Sequence, residues 1–298
     1  MKIPIFTGAS AALITPFYND KVDYKSFEVL IESQISANSE AVTICGTTGE
    51  GATLKAEEYI DIIKFAVKTC GGRCKIIVGS GSNDTAAAIK KSQIAEENGA
   101  DGLLVVTPYY NKATQSGLIS HYEAIAKSVK LPIIVYNVPS RTGLCATAET
   151  YKVLSEIDNI NGVKEASGNM DLIAKTKLLC GNDLAIWSGN DNETVEIMAL
   201  GGTGVISVAA NIIPQVMMDI VDFCDDGEFS MARSLAYTYY ELIESMFCEV
   251  NPIPIKYIME KCGLIKSGEL RLPLTPLSYK NADLIDEIYK KYKSEDLL

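Results

Sequence analysis

Pro132-Ile133-Ile134-Val135-Tyr136-Asn137-Val138 runs directly into Pro139-Ser140-Arg141-Thr142-Gly143. The first stretch is short, almost continuously apolar and rich in β-branched residues, the pattern of a strand covered on both faces. The second, polar residues between a proline and a glycine, reads as the loop that leaves it. Runs of the same kind stand at 11–17, 41–45, 75–79, 102–107, 160–164, 184–188 and 204–208. Their spacing, roughly 20 to 35 residues, is that of a βα unit.

Segments of helical period lie between the runs. Tyr59, Ile62, Ile63, Ala66 and Val67 recur at i, i+3, i+4, i+7 and i+8, and Leu172, Leu178 and Leu179 mark another face. Glycines at Gly71-Gly72, Gly99, Gly181 and Gly201-Gly202 stand where helices should stop before the next strand. Eight parallel-type strands, each followed by a helix, predict an α/β protein of the (β/α)8 TIM-barrel class. A doubly wound sheet is the alternative, but no G-x-G-x-x-G follows the first strand. After Val208 the strand signal ends, and 214–224, 228–249, 254–262 and 282–293 all read as helices. The expected organisation is a catalytic barrel over 1–227 and a helical C-terminal domain over 228–298.

Composition removes several classes of function. With 47% hydrophobic residues over 298, the chain has ample material for a large core and is neither disordered nor fibrous. Lys and Arg number 27 against 38 Asp and Glu, a net charge of −11 that suits neither nucleic acid nor an anionic membrane. No apolar run approaches the ~18 residues of a membrane span. Met1-Lys2-Ile3-Pro4-Ile5 has no signal-peptide layout and reads straight into a strand-like segment. Eight cysteines without a C-x-x-C pair indicate free thiols and a cytoplasmic location rather than a zinc ribbon or disulfide scaffold. The single histidine, His121, excludes chemistry built on histidine clusters; it is expected to face solvent or cap a helix turn, while Trp187 packs. The lysines of 289–293 are expected on the solvated face of a last helix.

In such a barrel, reactive groups belong at the C-terminal ends of the strands. Lys164 sits inside the sixth strand run, where burial on an apolar wall would favour the neutral amine, a nucleophile toward ketones. Alone, the residue reads as readily as a strand-end lysine in solvent or paired with a carboxylate. Strand alternation turns Glu165 to the opposite face, as a structural group rather than a partner. The loop 46–51, Gly-Thr-Thr-Gly-Glu-Gly, offers backbone amides and the Thr47 and Thr48 hydroxyls to a small carboxylate, although an ordinary βα turn accounts for it equally well. Gly202-Thr203-Gly204 is a weaker candidate for a phosphate cup. Tyr110 and Tyr136 carry phenols that pass protons when ordered, with Thr48 as a link between them, or are simply strand-end caps. Arg141 is placed to form a bidentate pair with a substrate carboxylate, unless it is a surface arginine.

Taken together, Gly46-Thr47-Thr48-Gly49-Glu50, Tyr136-Asn137-x-Pro139-x-x-x-Gly143 and Val163-Lys164-Glu165-x-Ser167-Gly168 resemble the motifs of the dihydrodipicolinate synthase / N-acetylneuraminate lyase superfamily, in order and spacing over essentially the whole chain. That resemblance implies a class I aldolase or lyase on a (β/α)8 barrel, with no metal and no organic cofactor. It implies that Lys164 forms the Schiff base with pyruvate, that Thr47 and Thr48 hold the pyruvate carboxylate, and that Tyr136 shuttles protons. Thr48, Tyr136 and Tyr110 match a relay in which the last tyrosine crosses a tight dimer, and Gly189 and Ile206 match positions lining the pyruvate pocket. Arg141 resembles the arginine with which the synthase branch holds the carboxylate of L-aspartate 4-semialdehyde, for diaminopimelate and lysine synthesis. Sialic acid lyases generally lack it. A lyase of N-acetylneuraminate or of a 2-keto-3-deoxy sugar acid is the nearest alternative, and a non-catalytic pyruvate-binding barrel is a more distant one. The resemblance further implies a homotetramer of two tight dimers. At the positions of the family's lysine-sensing cleft the chain has Ala56, Tyr59 and Ala87, although Asn83 and Tyr109 remain, so feedback by lysine is expected to be weak or absent.

Overall fold

The computed structural model describes residues 2–298; Met1 lies outside the described residues. Among them, eight parallel strands close into a barrel: β1 (Gly8–Ala12), β2 (Ala41–Ile44), β3 (Lys75–Gly79), β4 (Gly102–Val106), β5 (Ile133–Asn137), β6 (Ile160–Glu165), β7 (Ala185–Ser188) and β8 (Gly204–Ser207). Each pairs with its sequence neighbour, and β1 pairs with β8 in the register Gly8↔Gly204 to complete the ring. At that seam the backbones approach so closely that a Cβ on Gly204, whose φ is +151°, would overlap the Gly8 carbonyl. Only glycine closes the barrel there.

Helices α1 (Tyr24–Ser36), α2 (Ala56–Cys70), α3 (Thr85–Glu97), α4 (Gln115–Ser128), α5 (Ala148–Ser155), α6 (Met170–Cys180), α7 (Thr194–Ala199) and α8 (Pro214–Asp225) follow the strands in turn. Their starts are written locally. Asp23, Asp84, Thr114 and Asn169 each accept a backbone N–H of the first turn of α1, α3, α4 and α6. The apolar residues split into two layers. Phe6, Ala12, Leu104, Tyr136, Trp187 and Ile206 help to fill the barrel interior, and a larger cluster lies between strands and helices. Inside, Phe6 stacks on Trp187 with ring centroids 4.9 Å apart. At the N-terminal face the Lys2 ammonium donates to the carbonyls of Ser155, Ile157 and Ile160 at 2.6–2.8 Å, tying the chain start to the foot of β6.

The first strand differs from expectation. The apolar run at 11–17 is not one strand: β1 begins earlier, at Gly8, and ends at Ala12. Beyond it Pro16 has no N–H to give a ladder, and Phe17–Tyr18 pairs antiparallel with Lys21–Val22. Asn19 and Asp20, with φ of 52° and 56°, form the tight turn between them. The strand-like character of residues 2–5 yields no strand either. His121 is not in solvent: it is buried on α4, with Nδ1 2.9 Å from the Thr85 hydroxyl, and burial lowers its pKa.

Past the barrel come α9 (Phe229–Thr238), α10 (Tyr240–Ser245), α11 (Ile253–Lys261) and α12 (Tyr279–Ser294). The stretch 228–249, which reads as one helix, is broken at Tyr239, whose ring turns inward against Tyr292 of α12. Lys290, Lys291 and Lys293 lie on the exposed face of α12, while Tyr292 is buried. No described helix is long and apolar enough to cross a membrane. Between α10 and α11 the chain passes over the mouth of the barrel, at the C-terminal ends of the strands, and this return completes the site below.

Candidate active site

Tyr136 on β5 and Lys164 on β6 are register partners, as are Asn137 and Glu165 one residue further on. Alternation therefore sends the first pair into the barrel and the second outward. Inside, the Lys164 ammonium nitrogen lies 4.6 Å from the centroid of the Tyr136 ring. Both side chains are buried. Desolvation pushes the Lys164 pKa down to about 8, Arg141 pushes in the same direction, and the carboxylate of Asp191 opposes them. Burial raises the Tyr136 phenol, while Arg141 and a hydrogen bond with the Thr47 hydroxyl draw it back. Gly189, after β7, leaves the space that Lys164 needs. A Cβ there would stand 3.1 Å from the Lys164 Cε and 2.7 Å from the Ala166 Cβ.

On the outer side, Glu165 is structural, as alternation requires. Its carboxylate accepts the Asn137 amide at 3.0 and 3.2 Å, the Tyr151 hydroxyl at 2.8 Å and the Ser167 N–H at 2.9 Å. Burial raises its pKa against those bonds.

The loop 46–51 curls tightly, with the Gly51 N–H on the Gly46 carbonyl at 3.0 Å and the Glu50 N–H on the Thr47 carbonyl at 3.1 Å. A side chain on Gly51 would overlap the Cys45 carbonyl. Glu50, at φ 51°, turns its carboxylate into the protein. There it is ion-paired with the fully buried Lys256 of α11 and accepts the Arg271 N–H at 2.9 Å. Lys256 also donates to the Glu269 carbonyl at 2.8 Å, and burial pushes its pKa down to about 8 although Glu50 pulls it up. The loop is thus anchored from the C-terminal region, with Thr47 and Thr48 facing the barrel mouth.

Thr47, Thr48, Tyr136, Arg141, Lys164 and Gly189 all line one cavity of about 130 Å3. A larger one, about 310 Å3, adjoins it and shares Thr47, Tyr136 and Arg141. Arg141 stands on the single helical turn Pro139–Thr142 that follows β5, and its Nη2 donates to the Asn251 carbonyl at 3.1 Å. Ile206 is buried in the barrel interior, within the same inner cluster as Tyr136. Tyr110 is placed apart: 88% exposed, at φ 74°, outside both cavities. Within one chain Thr48 does not link the two phenols. Tyr136 pairs with Thr47, and the Thr48 hydroxyl receives the Asn251 amide at 2.9 Å.

Three contributors escaped sequence reasoning. Asn251 lies more than forty residues beyond the last strand and nothing local marks it. Lys256 reads as an ordinary helix lysine, although Ile253, Ile255 and Met259 around it mark a buried face, which is a signal. Asp191 stands at the strand-seven end without an evident role. Its Oδ2 accepts the Val208 and Ala209 N–H groups at 3.0 and 3.1 Å, and burial raises its pKa.

A closed (β/α)8 barrel with a desolvated lysine over a phenol at its C-terminal mouth defines the class of Schiff-base-forming, aldolase-type enzymes. The particular family follows from comparison: residues 5–292 match the dihydrodipicolinate synthetase family, and the chain belongs to it. A relative from Thermoanaerobacter sp. (strain X514), named 4-hydroxy-tetrahydrodipicolinate synthase, is 45% identical over 97% of this chain and 98% of its own. A solved chloride-inhibited dihydrodipicolinate synthase from Acinetobacter baumannii, complexed with pyruvate, superposes with a TM-score of 0.94 at 40% identity, covering 96% of this chain and 99% of that one. A monomeric dihydrodipicolinate synthase variant superposes with a TM-score of 0.95 at 37% identity, covering 99% and 98%.

Proposed function

We propose that the chain is a 4-hydroxy-tetrahydrodipicolinate synthase, a lyase that condenses pyruvate with L-aspartate 4-semialdehyde on the route to diaminopimelate and lysine. The observation that carries this reading is that one small cavity holds both a lysine whose pKa is near 8 and the guanidinium of Arg141. The first suits imine formation with a ketone. The second suits an aldehyde partner that bears a carboxylate in addition to that of pyruvate, and this favours the semialdehyde over the uncharged sugar aldehyde that the sibling lyases handle.

The chemistry runs as follows. The neutral Lys164 amine attacks C2 of pyruvate, whose carboxylate rests on the Thr47–Thr48 turn. The carbinolamine loses water, with Tyr136 supplying a proton to the departing oxygen, and an iminium remains. That cation accepts the electron pair released when the Tyr136 phenolate, left by the loss of water, takes a C3 proton, giving an enamine. Enamine C3 then bonds to the aldehyde carbon of the semialdehyde, held by Arg141, and the new alkoxide takes a proton. Finally the substrate's own amine adds to C2, closes the ring and expels Lys164. Covalent attachment divides one difficult condensation into easier steps, and orientation by Arg141 removes much of the entropic barrier.

In the assembled enzyme, Tyr110 reaches the Thr48–Tyr136 end of a neighbouring subunit's site, and two tight dimers form a tetramer. Residues 1–227 make the catalytic unit and 228–298 a helical one that anchors its loops. The eight free thiols suit the cytoplasm. Lysine feedback is weak or absent, because Ala56, Tyr59 and Ala87 offer no carboxylate to an effector's ammonium; inhibition at low lysine in an activity titration would contradict this.

Pyruvate consumption with L-aspartate 4-semialdehyde, set beside cleavage of N-acetylneuraminate, tests the second substrate. Turnover of the semialdehyde alone is expected, and it disappears in Lys164→Ala. Turnover of the sugar acid alone would move the chain to the sibling lyases.

A further inference from the structure

The return between α10 and α11 sets Asn251 against the cavity, where it touches two members of the site through two different groups. Its side-chain Nδ2 donates to the Thr48 Oγ1 at 2.9 Å, and its main-chain carbonyl accepts the Arg141 Nη2 at 3.1 Å. The residue is 7% exposed and lines both cavities. Its Oδ1 is buried without a hydrogen-bond partner. An unpaired buried carbonyl oxygen is unfavourable, so the side chain is not there to satisfy itself.

The direction of the Thr48 bond has a chemical consequence. A threonine hydroxyl has one hydrogen to give and two lone pairs to offer. With one lone pair held by the Asn251 amide, the hydrogen is left for the cavity, where an anionic carboxylate or the oxygen of a carbinolamine would accept it. An acceptor in place of that amide would take the hydrogen for itself and turn only lone pairs toward the substrate. Arg141, by contrast, is held by a main-chain carbonyl that survives any change of side chain. We infer that Asn251 is a positioning residue: its amide orients the Thr48 hydroxyl as a donor toward the pyruvate half of the reaction, while its backbone separately restrains Arg141 for the second substrate. This rests on the Schiff-base reading above.

Two variants separate these roles. Asn251→Ala removes the amide and keeps the carbonyl that holds Arg141. Asn251→Asp keeps the shape but offers Thr48 only an acceptor. Imine formation is read by quenching with borohydride at short times after mixing with pyruvate, and steady-state kinetics give the constants for both substrates. The expected result is a tenfold or greater fall in the rate of imine formation for Asn251→Ala and a larger one for Asn251→Asp. The KM for L-aspartate 4-semialdehyde in Asn251→Ala should stay within twofold of wild type. In a Thr48→Val background, Asn251→Ala should cost nothing further, because the residue acts through that hydroxyl. Wild-type trapping rates in both variants, an equal additional loss in the Thr48→Val background, or failure of both variants to fold would each overturn the proposal. Wild-type protein that traps no pyruvate at all would instead overturn the Schiff-base reading on which it stands.

Discussion

At pH 8 half of Lys164 is neutral if its pKa is about 8, whereas an unperturbed lysine is only about 0.3% neutral there. Desolvation is the largest cause, and it comes from the barrel wall rather than from any designed partner. Because the free amine is the nucleophile, the rate of imine formation should rise with pH and level off above about 8. Arg141 contributes to the depression, so Arg141→Ala should move the midpoint of that profile to higher pH. The same variant should raise the KM for the semialdehyde by about tenfold or more, equivalent to ~1.4 kcal/mol of lost binding. A profile unmoved by Arg141→Ala would mean that the guanidinium does not act on the amine. Lys164 and Tyr136 stand near strand ends where a polar residue interrupts an apolar run, and Arg141 on the turn that follows β5. Taken singly each stays open, and it is the family-like motifs around them that single them out. The partner of Thr48 was not legible in the sequence. A hydrogen bond between residues 48 and 251 leaves no trace in local pattern, and neither does the choice of Tyr136 to pair with Thr47.

Each strand of the β5–β6 pair carries a reactive residue on one face and a structural one on the other. Asn137 and Glu165, bonded across the outer face, hold the register that sets Tyr136 beside Lys164. Asn137→Ala should therefore act twice. It strips a partner from a buried carboxylate, costing roughly 1–3 kcal/mol in urea unfolding, and it should lower kcat while leaving the KM for the semialdehyde nearly unchanged. Unaltered stability would show that Tyr151 and Ser167 suffice to hold Glu165. At this scale the strand runs were read well from β2 to β8, because strands covered on both faces are near-continuously apolar. The first failed for a related reason. Leu13, Ile14 and Phe17 are as buried as strand residues, but Pro16 and the Asn19-Asp20 turn take them out of the barrel into loop and hairpin. Hydrophobicity reports burial, and here burial and strand part company.

Across the whole molecule, the C-terminal helices do more than cover one side of the barrel. Lys256 reaches Glu50, Arg271 ties the same carboxylate through its N–H and binds Glu58 and Asp20, and Asn251 reaches Thr48 and Arg141. A helix and its flanking connections, drawn from the last quarter of the chain, therefore fix the loop after the second strand. Lys256→Ala would leave Glu50 buried and unpaired, a loss of roughly 3–5 kcal/mol. Replacing the pair together, Lys256→Met with Glu50→Gln, should restore most of that stability in urea titration. A single variant as stable as wild type would show that the pair adds nothing to the anchor. The helices themselves could be read from periodicity. Their attachment could not, because a buried ion pair between residues 50 and 256 is set by tertiary packing alone.

The account turns on one covalent bond. The most direct test is to mix the purified chain with pyruvate, reduce with borohydride and locate the adduct by peptide mass spectrometry. A single reduced pyruvyl group on Lys164, absent from Lys164→Ala, is the predicted result. No adduct, or an adduct on another lysine such as Lys256, would contradict it.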